Sequence, residues 1–268
     1  MNISILGSGW LGLALAKNLL KLGHTIKLST RTPEKLNTLT NQSVTPYLID
    51  TDDLSDEVHD FLVTELLIIN ITSKNKQSFA HLIDEIVKSS IKKVLFISSS
   101  SVYQTVNGLV TEDQGLESAD NLLYQIEQMF QINTHFKTTI LRLSGLIGYT
   151  RHPGNFFKNN KIVHQPDAPV NLIHRDDCIG IINSIIKQGL WGEIFNGCAT
   201  THPTKREFYS YTSGLLNKSN PNYSKELNAD CYKIVSNEKV IKQLGYQFIY
   251  PDVMTISYTI ETGLITAF

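Results

Sequence analysis

The residues of this chain best suited to hold a charged ligand are Gly7-Ser8-Gly9-Trp10-Leu11-Gly12, a Gly-x-Gly-x-x-Gly turn. The turn follows the apolar run Ile3–Leu6 and opens a stretch in which Leu11, Ala14, Leu15, Leu19 and Leu22 share a helical face. A strand before and a helix after are the context this motif requires. Gly7 makes the tight turn, Gly9 lets the backbone approach a pyrophosphate, and Gly12 lets the helix pack closely on the strand. The helix start then offers unpaired N–H groups and a partial positive charge to phosphate. All six residues, Ser8, Trp10 and Leu11 included, are expected at a dinucleotide site. The alternative is a glycine-rich turn with no ligand.

The next strand selects the nucleotide. An NAD site has Asp or Glu ~20 residues on, accepting hydrogen bonds from the ribose. Here the strand ends Leu28-Ser29-Thr30-Arg31, without an acid, and Arg31 lies 19 residues past Gly12. A guanidinium there can meet a 2′-phosphate bidentately, with the Thr30 hydroxyl beside it. The expectation is NADP(H) favoured over NAD(H); a solvated surface arginine is the other reading. Asp50, ending the third strand, either receives the adenine amino group or caps the next turn. Ile71, Thr72 and Ser73 end the fourth strand, where a doubly wound sheet binds its ligands. Of these, Thr72 joins the expected cofactor site.

The elements that must position these groups are legible as alternation. Strands are expected near 24–29, 47–49, 66–71, 94–97 and 139–143. Helices are expected from Pro33, with Thr32 as N-cap, and over 79–87 and 122–130. Buried apolar strands alternating with helices predict a parallel sheet covered on both faces, of the doubly wound Rossmann type. Past Gly148 the pattern changes. Residues 151–169 hold three prolines and read as a loop. Helices follow over 176–187 and 204–216, with a short strand at Ile194–Phe195. The division expected is a dinucleotide-binding domain over 1–150 and a mixed segment over 151–268. That segment partly completes the sheet and forms a smaller C-terminal substrate lobe.

Composition narrows the class. The chain has 268 residues, 41% hydrophobic and 18% charged, which excludes a disordered chain. With 24 basic and 25 acidic residues it lacks the electrostatic footprint of a nucleic-acid binder. Cys178, Cys198 and Cys231 stand far apart, which fits free thiols in a reducing compartment rather than disulfides or zinc. No basic region precedes the first apolar run, and no run approaches the ~20 residues of a membrane span. A soluble, cytoplasmic protein without membrane or nucleic-acid partners is expected.

Seven segments carry a family resemblance. Beside the glycine turn, Phe96-Ile97-Ser98-Ser99-Ser100-Ser101-Val102-Tyr103 is similar to a Ser-Ser-x-x-Val-Tyr strand five. Leu141-Arg142-Leu143-Ser144-Gly145-Leu146-Ile147-Gly148 is similar to strand six. Asn171-Leu172-Ile173-His174-Arg175-Asp176-Asp177 and Phe195-Asn196-Gly197 follow. Val235-Ser236-Asn237-Glu238-Lys239 and Leu244-Gly245-Tyr246 match late in the chain. Taken in order, they resemble the extended short-chain dehydrogenase/reductase superfamily, of the NAD-dependent epimerase/dehydratase type. The resemblance implies that Ser99 polarises the substrate oxygen and adds Ser144 to the cofactor site. It also implies a small-molecule substrate and a possible homodimer.

The family needs a Tyr to pass a proton, and a Lys four residues later to lower its pKa from ~10. One alignment frame puts the Tyr at Tyr124, with Gln128 in the lysine slot. A second, matching Glu127-Gln128 to the family's Glu-Gln, puts Ala119 and Leu123 in the two slots. The lysine is missing in both, so the chain resembles atypical members without the Tyr-x-x-x-Lys pair. Tyr103, Tyr124 and His174 are candidate replacements. Their structural readings are packing after strand five for Tyr103, a helix surface for Tyr124, and bracing of Asp176 or Asp177 for His174. Cys178 reads as core. The function implied is an NADP(H)-binding oxidoreductase acting on a small carbonyl, alcohol or sugar-like substrate. A cofactor sensor without turnover and a nucleotide-sugar epimerase or dehydratase are the alternatives.

Overall fold

The computed structural model describes residues 1–157, 161–225 and 231–256. The remaining parts of the expected loop and C-terminal segment lie outside the described residues. Strand and helix alternate first as β1 (Asn2–Leu6), α1 (Trp10–Lys21), β2 (Thr25–Thr30), α2 (Pro33–Leu39) and β3 (Thr45–Leu48). The alternation continues through α3 (Glu57–Phe61), β4 (Leu66–Ile69), α4 (Lys76–Lys88) and β5 (Lys93–Ser99). Next come β6 (Gly108–Val110), α5 (Leu122–Gln131), β7 (Lys137–Leu143), β8 (Gly145–Ile147), β9 (Ile162–Val163), β10 (Leu172–His174) and α6 (Arg175–Gln188). The described chain ends with β11 (Ile194–Gly197), α7 (Lys205–Gly214), β12 (Asn222–Tyr223), β13 (Lys233–Val235) and α8 (Glu238–Leu244).

Seven strands form one sheet in the order β11-β7-β5-β4-β1-β2-β3, and every pairing in it is parallel. Chain order reverses between β1 and β4. A Rossmann-type sheet opens its ligand crevice at that switch point, outside the carboxyl ends of the strands.

The strands are apolar because both faces are covered. All four residues of β4 are at most 1% exposed. On one face Val58, Phe61, Phe79, Leu82, Ile126 and Phe130 of α3, α4 and α5 cover the sheet, with Phe79, Phe96 and Phe130 in mutual ring contact. On the other face lie Leu15 and Leu19 of α1, Ile181 and Ile185 of α6, and Val240 of α8. A third cluster, around Phe208 of α7 with Ile147, Leu172 and Val253, is the core of the smaller lobe.

Several boundaries move. β4 stops at Ile69, so residues 71–73 belong to the loop after it and are available to a ligand. β5 runs on through Ser98 and Ser99. Thr32 has the extended backbone of an N-cap, but its hydroxyl sits 3.3 Å from that of Thr30 and caps nothing. The stretch 151–169 contains β9, which pairs with the distant β12 over two residues, too short a register to leave a period in the sequence. Among the described residues no helix is long and apolar enough to cross a membrane.

Candidate functional site

The glycine turn is held from both neighbouring strands. The Gly7 N–H donates to Ser29 Oγ and the Ser8 N–H to the Ser29 carbonyl, each at 2.9 Å. Gly7 has φ +104°, and a Cβ there would strike the Asn70 carbonyl. A Cβ on Gly12 would overlap the Gly7 carbonyl and lie 2.8 Å from Asn70 Nδ2, so this contact between α1 and the turn admits only hydrogen. Gly9 is different: a Cβ there meets nothing within 4 Å. Its open side faces the crevice. Gly9 is also the N-cap of α1, no side chain caps that helix, and its first turn has no acid. This is an anion-ready helix terminus.

Two cavities flank the helix start. The first, about 310 Å³, lies over β1, β2 and β3 and is lined by Gly7, Ser8, Gly9, Thr30, Arg31, Lys35 and Asp50, among others. Arg31 is exposed and makes no ion pair or hydrogen bond to a described residue. Lys35 donates to the Ser8 carbonyl. Asp50 lines the cavity, and its carboxylate accepts the Asp52 N–H at 3.0 Å within the turn that follows. Asp52 is engaged by Asn75 Nδ2 and the Ser78 hydroxyl.

The second cavity, about 330 Å³, lies over β4, β5 and β7 and shares Asn70, Ile71, Thr72 and Ser73 with the first. The two therefore form one groove along the strand ends, across the switch point. Leu11, Lys74, Ser98, Ser99, Ser101, Leu123, Leu143, Ser144 and Leu146 line this half. Ser99 Oγ accepts the Ser101 N–H at 3.1 Å, which leaves its own O–H available. The Ser144 and Ser100 hydroxyls are 3.3 Å apart.

Of the residues expected from sequence, Gly12, Trp10 and Tyr124 line neither cavity. Gly12 packs α1 on the turn, and Trp10 faces Thr150 and Arg151. Tyr124 is half-buried, with its ring 6.0 Å from the Arg142 guanidinium. Leu123, the lysine slot of the second alignment frame, forms part of the wall beside Ser99. Lys35, Asn70 and Lys74 line the groove without having been expected there.

Behind the second half lies a buried polar cluster. Arg142 of β7 is 0% exposed and donates from Nε and Nη2 to both oxygens of Glu127 on α5, with Nη2···Oε2 at 2.6 Å. Its Nη1 donates to the Tyr103 hydroxyl at 2.9 Å and to Glu117. Tyr103 donates to Asn196 Oδ1 of β11, and Ser98 donates to Glu127. Burial favours loss of the Arg142 proton, but the Glu127 carboxylate outweighs it, and the guanidinium pKa is raised. Burial pushes the Tyr103 hydroxyl up to about 12, against the pull of Arg142, so it stays protonated near neutrality. These groups fix β5, β7, β11 and α5 to one another.

His174 caps α6, with Nδ1 accepting the Asp176 N–H at 3.2 Å, and its ring lies tilted against that of Tyr250, with centroids 4.0 Å apart. Burial lowers its pKa, against Asp176 and Asp177. It braces a helix start and lines neither cavity. Cys178 is fully buried, and burial raises its thiol well above the usual range.

A parallel sheet with the 3-2-1-4-5 order at its core, an uncapped helix after a glycine turn and a two-part groove at the switch point define a dinucleotide-binding α/β protein. The chain belongs to the NAD(P)H-binding family, whose profile matches residues 7–169. Along almost its whole length it is similar to protein YeeZ of Escherichia coli K12, with 29% identity over 265 residues, 93% of this chain and 96% of that protein. Its fold is that of UDP-glucuronic acid 4-epimerase from Bacillus cereus in complex with NAD, with TM-score 0.75, 18% identity, and 95% and 93% of the two chains covered. It is also that of human epimerase family protein SDR39U1 with NADPH, with TM-score 0.70, 14% identity, and 95% and 97% covered. Solved structures that share this fold thus include an epimerase with NAD and an epimerase family protein with NADPH.

Proposed function

We propose that the groove binds NADP(H) in preference to NAD(H), and that the protein is an oxidoreductase working on a small carbonyl, alcohol or sugar-like substrate in the cytoplasm. The observation that carries the cofactor preference is at the end of β2. Arg31 and Lys35 stand there beside Thr30, neither is ion-paired to a described residue, and β2 ends without a carboxylate. The open side of Gly9 and the uncapped start of α1 fit the pyrophosphate. A 2′-phosphate between Arg31 and Lys35 gains charge-assisted hydrogen bonds worth ~1.5–3 kcal/mol each.

When bound, the cofactor supplies or accepts a hydride at its nicotinamide. The chain's own part is to hold and shield the substrate beside that ring. Ser99 donates its O–H to the substrate oxygen. Leu123, Leu143 and Leu146 form an apolar wall that limits water. The Thr72 and Ser144 hydroxyls orient the ring end of the cofactor. In place of a Tyr–Lys pair, this half of the groove offers hydroxyls and the Lys74 ammonium for the proton. A screen of carbonyl compounds, read by loss of NADPH absorbance, tests the activity. The expected result is turnover of at least one class, reduced about 100-fold or more in kcat by Ser99→Ala. Equal rates for the two proteins would remove Ser99 from the mechanism.

One observation favours a second reading, a cofactor-binding protein without turnover. Leu123 stands in the lysine slot, and Tyr124 is turned toward Arg142. NADPH binding with no acceptor reduced across the screen would select it.

A further inference from the structure

Trp10 belongs to the glycine turn, yet its ring lies outside both cavities and gathers two arginines. The indole N–H donates to Thr150 Oγ1 at 3.1 Å. The guanidinium carbons of Arg175 and Arg151 lie 4.8 Å and 5.1 Å from the ring centroid. Tyr149 holds Arg175 from another side at 3.9 Å and has φ 50°, a left-handed backbone that costs a non-glycine residue energy.

Neither arginine has an ion pair among the described residues. Asp176, next in sequence to Arg175, accepts the Tyr149 hydroxyl at 2.8 and 3.0 Å and does not pair with its neighbour. Arg175 Nε is buried without a hydrogen-bond partner. Arg175 is also the first residue of the 14-residue helix α6, the end at which the helix dipole disfavours a cation. Two like charges drawn onto one indole, one of them with a buried unsatisfied donor, call for an anion. Stacking on a ring leaves the N–H edges of a guanidinium available for one.

The chain indicates which anion. Gly9, just before Trp10, lines the first cavity, and Leu11, just after it, lines the second. A ligand that fills both halves crosses the backbone of Trp10, and in a dinucleotide the crossing group is the pyrophosphate. We infer that Arg151 and Arg175, delivered by the chain after β8 and stacked on Trp10, bind the pyrophosphate of the dinucleotide together with the start of α1. This rests on the cofactor reading above and adds a second source of positive charge to it.

The test is equilibrium binding of NADPH and of adenosine 2′-monophosphate, which lacks the pyrophosphate, to wild type, Arg151→Ala and Arg175→Ala. Arg151 is exposed, so its variant keeps the test valid should Arg175→Ala fail to fold. Each substitution is expected to weaken NADPH about ten- to 100-fold and to leave the monophosphate unchanged. Unchanged NADPH affinity in the variants would overturn the inference while leaving the cofactor reading intact. An equal loss for both ligands would also overturn it, because it would mark a general field or a folding defect. A wild-type protein that binds neither ligand would sink the cofactor reading itself, and the inference with it.

Discussion

Over β1, β2 and β3 the groove displays its charge: Arg31 is exposed with no partner among the described residues, and Lys35 donates to the Ser8 carbonyl. Over β5 and β7 the opposite holds. The strand's own cation, Arg142, is 0% exposed and engaged by Glu127, Glu117 and Tyr103, while the groove wall beside it, Lys74 and Asn70 apart, is hydroxyls and apolar side chains. Groups that serve a ligand are left without protein partners, whereas groups that serve the fold are paired, because a buried charge without a partner is too costly to keep. The half over β1, β2 and β3 is thus built as a binding surface. The half over β5 and β7 is built on a floor of paired, buried charges.

The largest expected effect comes from breaking that floor. Glu127→Leu leaves Arg142 buried without its main partner and should cost about 3–5 kcal/mol in denaturant unfolding. Arg31→Ser, on the displayed side, should stay within ~0.5 kcal/mol of wild type. Similar losses in the two variants would erase the distinction.

A pair of glycine variants separates folding from binding inside one turn. Gly12→Val drives a side chain into the Gly7 carbonyl and should destabilise by about 1–3 kcal/mol. Gly9→Val points into open space and should leave stability within ~0.5 kcal/mol while blocking NADPH, as titration calorimetry would register. A Gly9→Val protein that binds normally would mean that no ligand approaches there.

The smallest effect concerns pH. Burial lowers the His174 pKa below its unfolded value of 6.5, so the unfolded chain takes up this proton first as pH falls. Its contribution to stability is present above pH 6.5 and is lost below it. His174→Asn keeps a capping acceptor but cannot titrate. Between pH 7.5 and 5.5 the variant should lose less stability than wild type, by at most about 1.4 kcal/mol. Parallel pH profiles would show that His174 does not carry this term.

How far the sequence reached follows the same division. The cofactor half was legible because its parts are local. Gly7–Gly12 is contiguous, and Arg31 sits at the end of the next strand. Lys35 was missed although it lies only four residues past Arg31, in the first turn of α2. Asn70 was hidden because the fourth strand was expected to run on to residue 71. The half over β5 and β7 depends on how α5 packs on β7, which no local pattern specifies. Tyr124 read as helix surface and is half-buried beneath Arg142. The available signal was Arg142 itself. A charge inside the apolar run Thr139–Leu143 has to find a partner, and Glu127 lies on the apolar face of the neighbouring helix.

The measurement closest to the central claim is thermal unfolding of the wild-type protein with NADP and with NAD at equal excess. A ligand at ~100 times its dissociation constant adds ~2.7 kcal/mol, roughly 5–10 °C in midpoint for a domain of this size. A shift of that order is expected with NADP and a clearly smaller one with NAD. Equal shifts would return Arg31 and Lys35 to ordinary surface charges, and no shift with either would contradict the reading of the groove as a dinucleotide site.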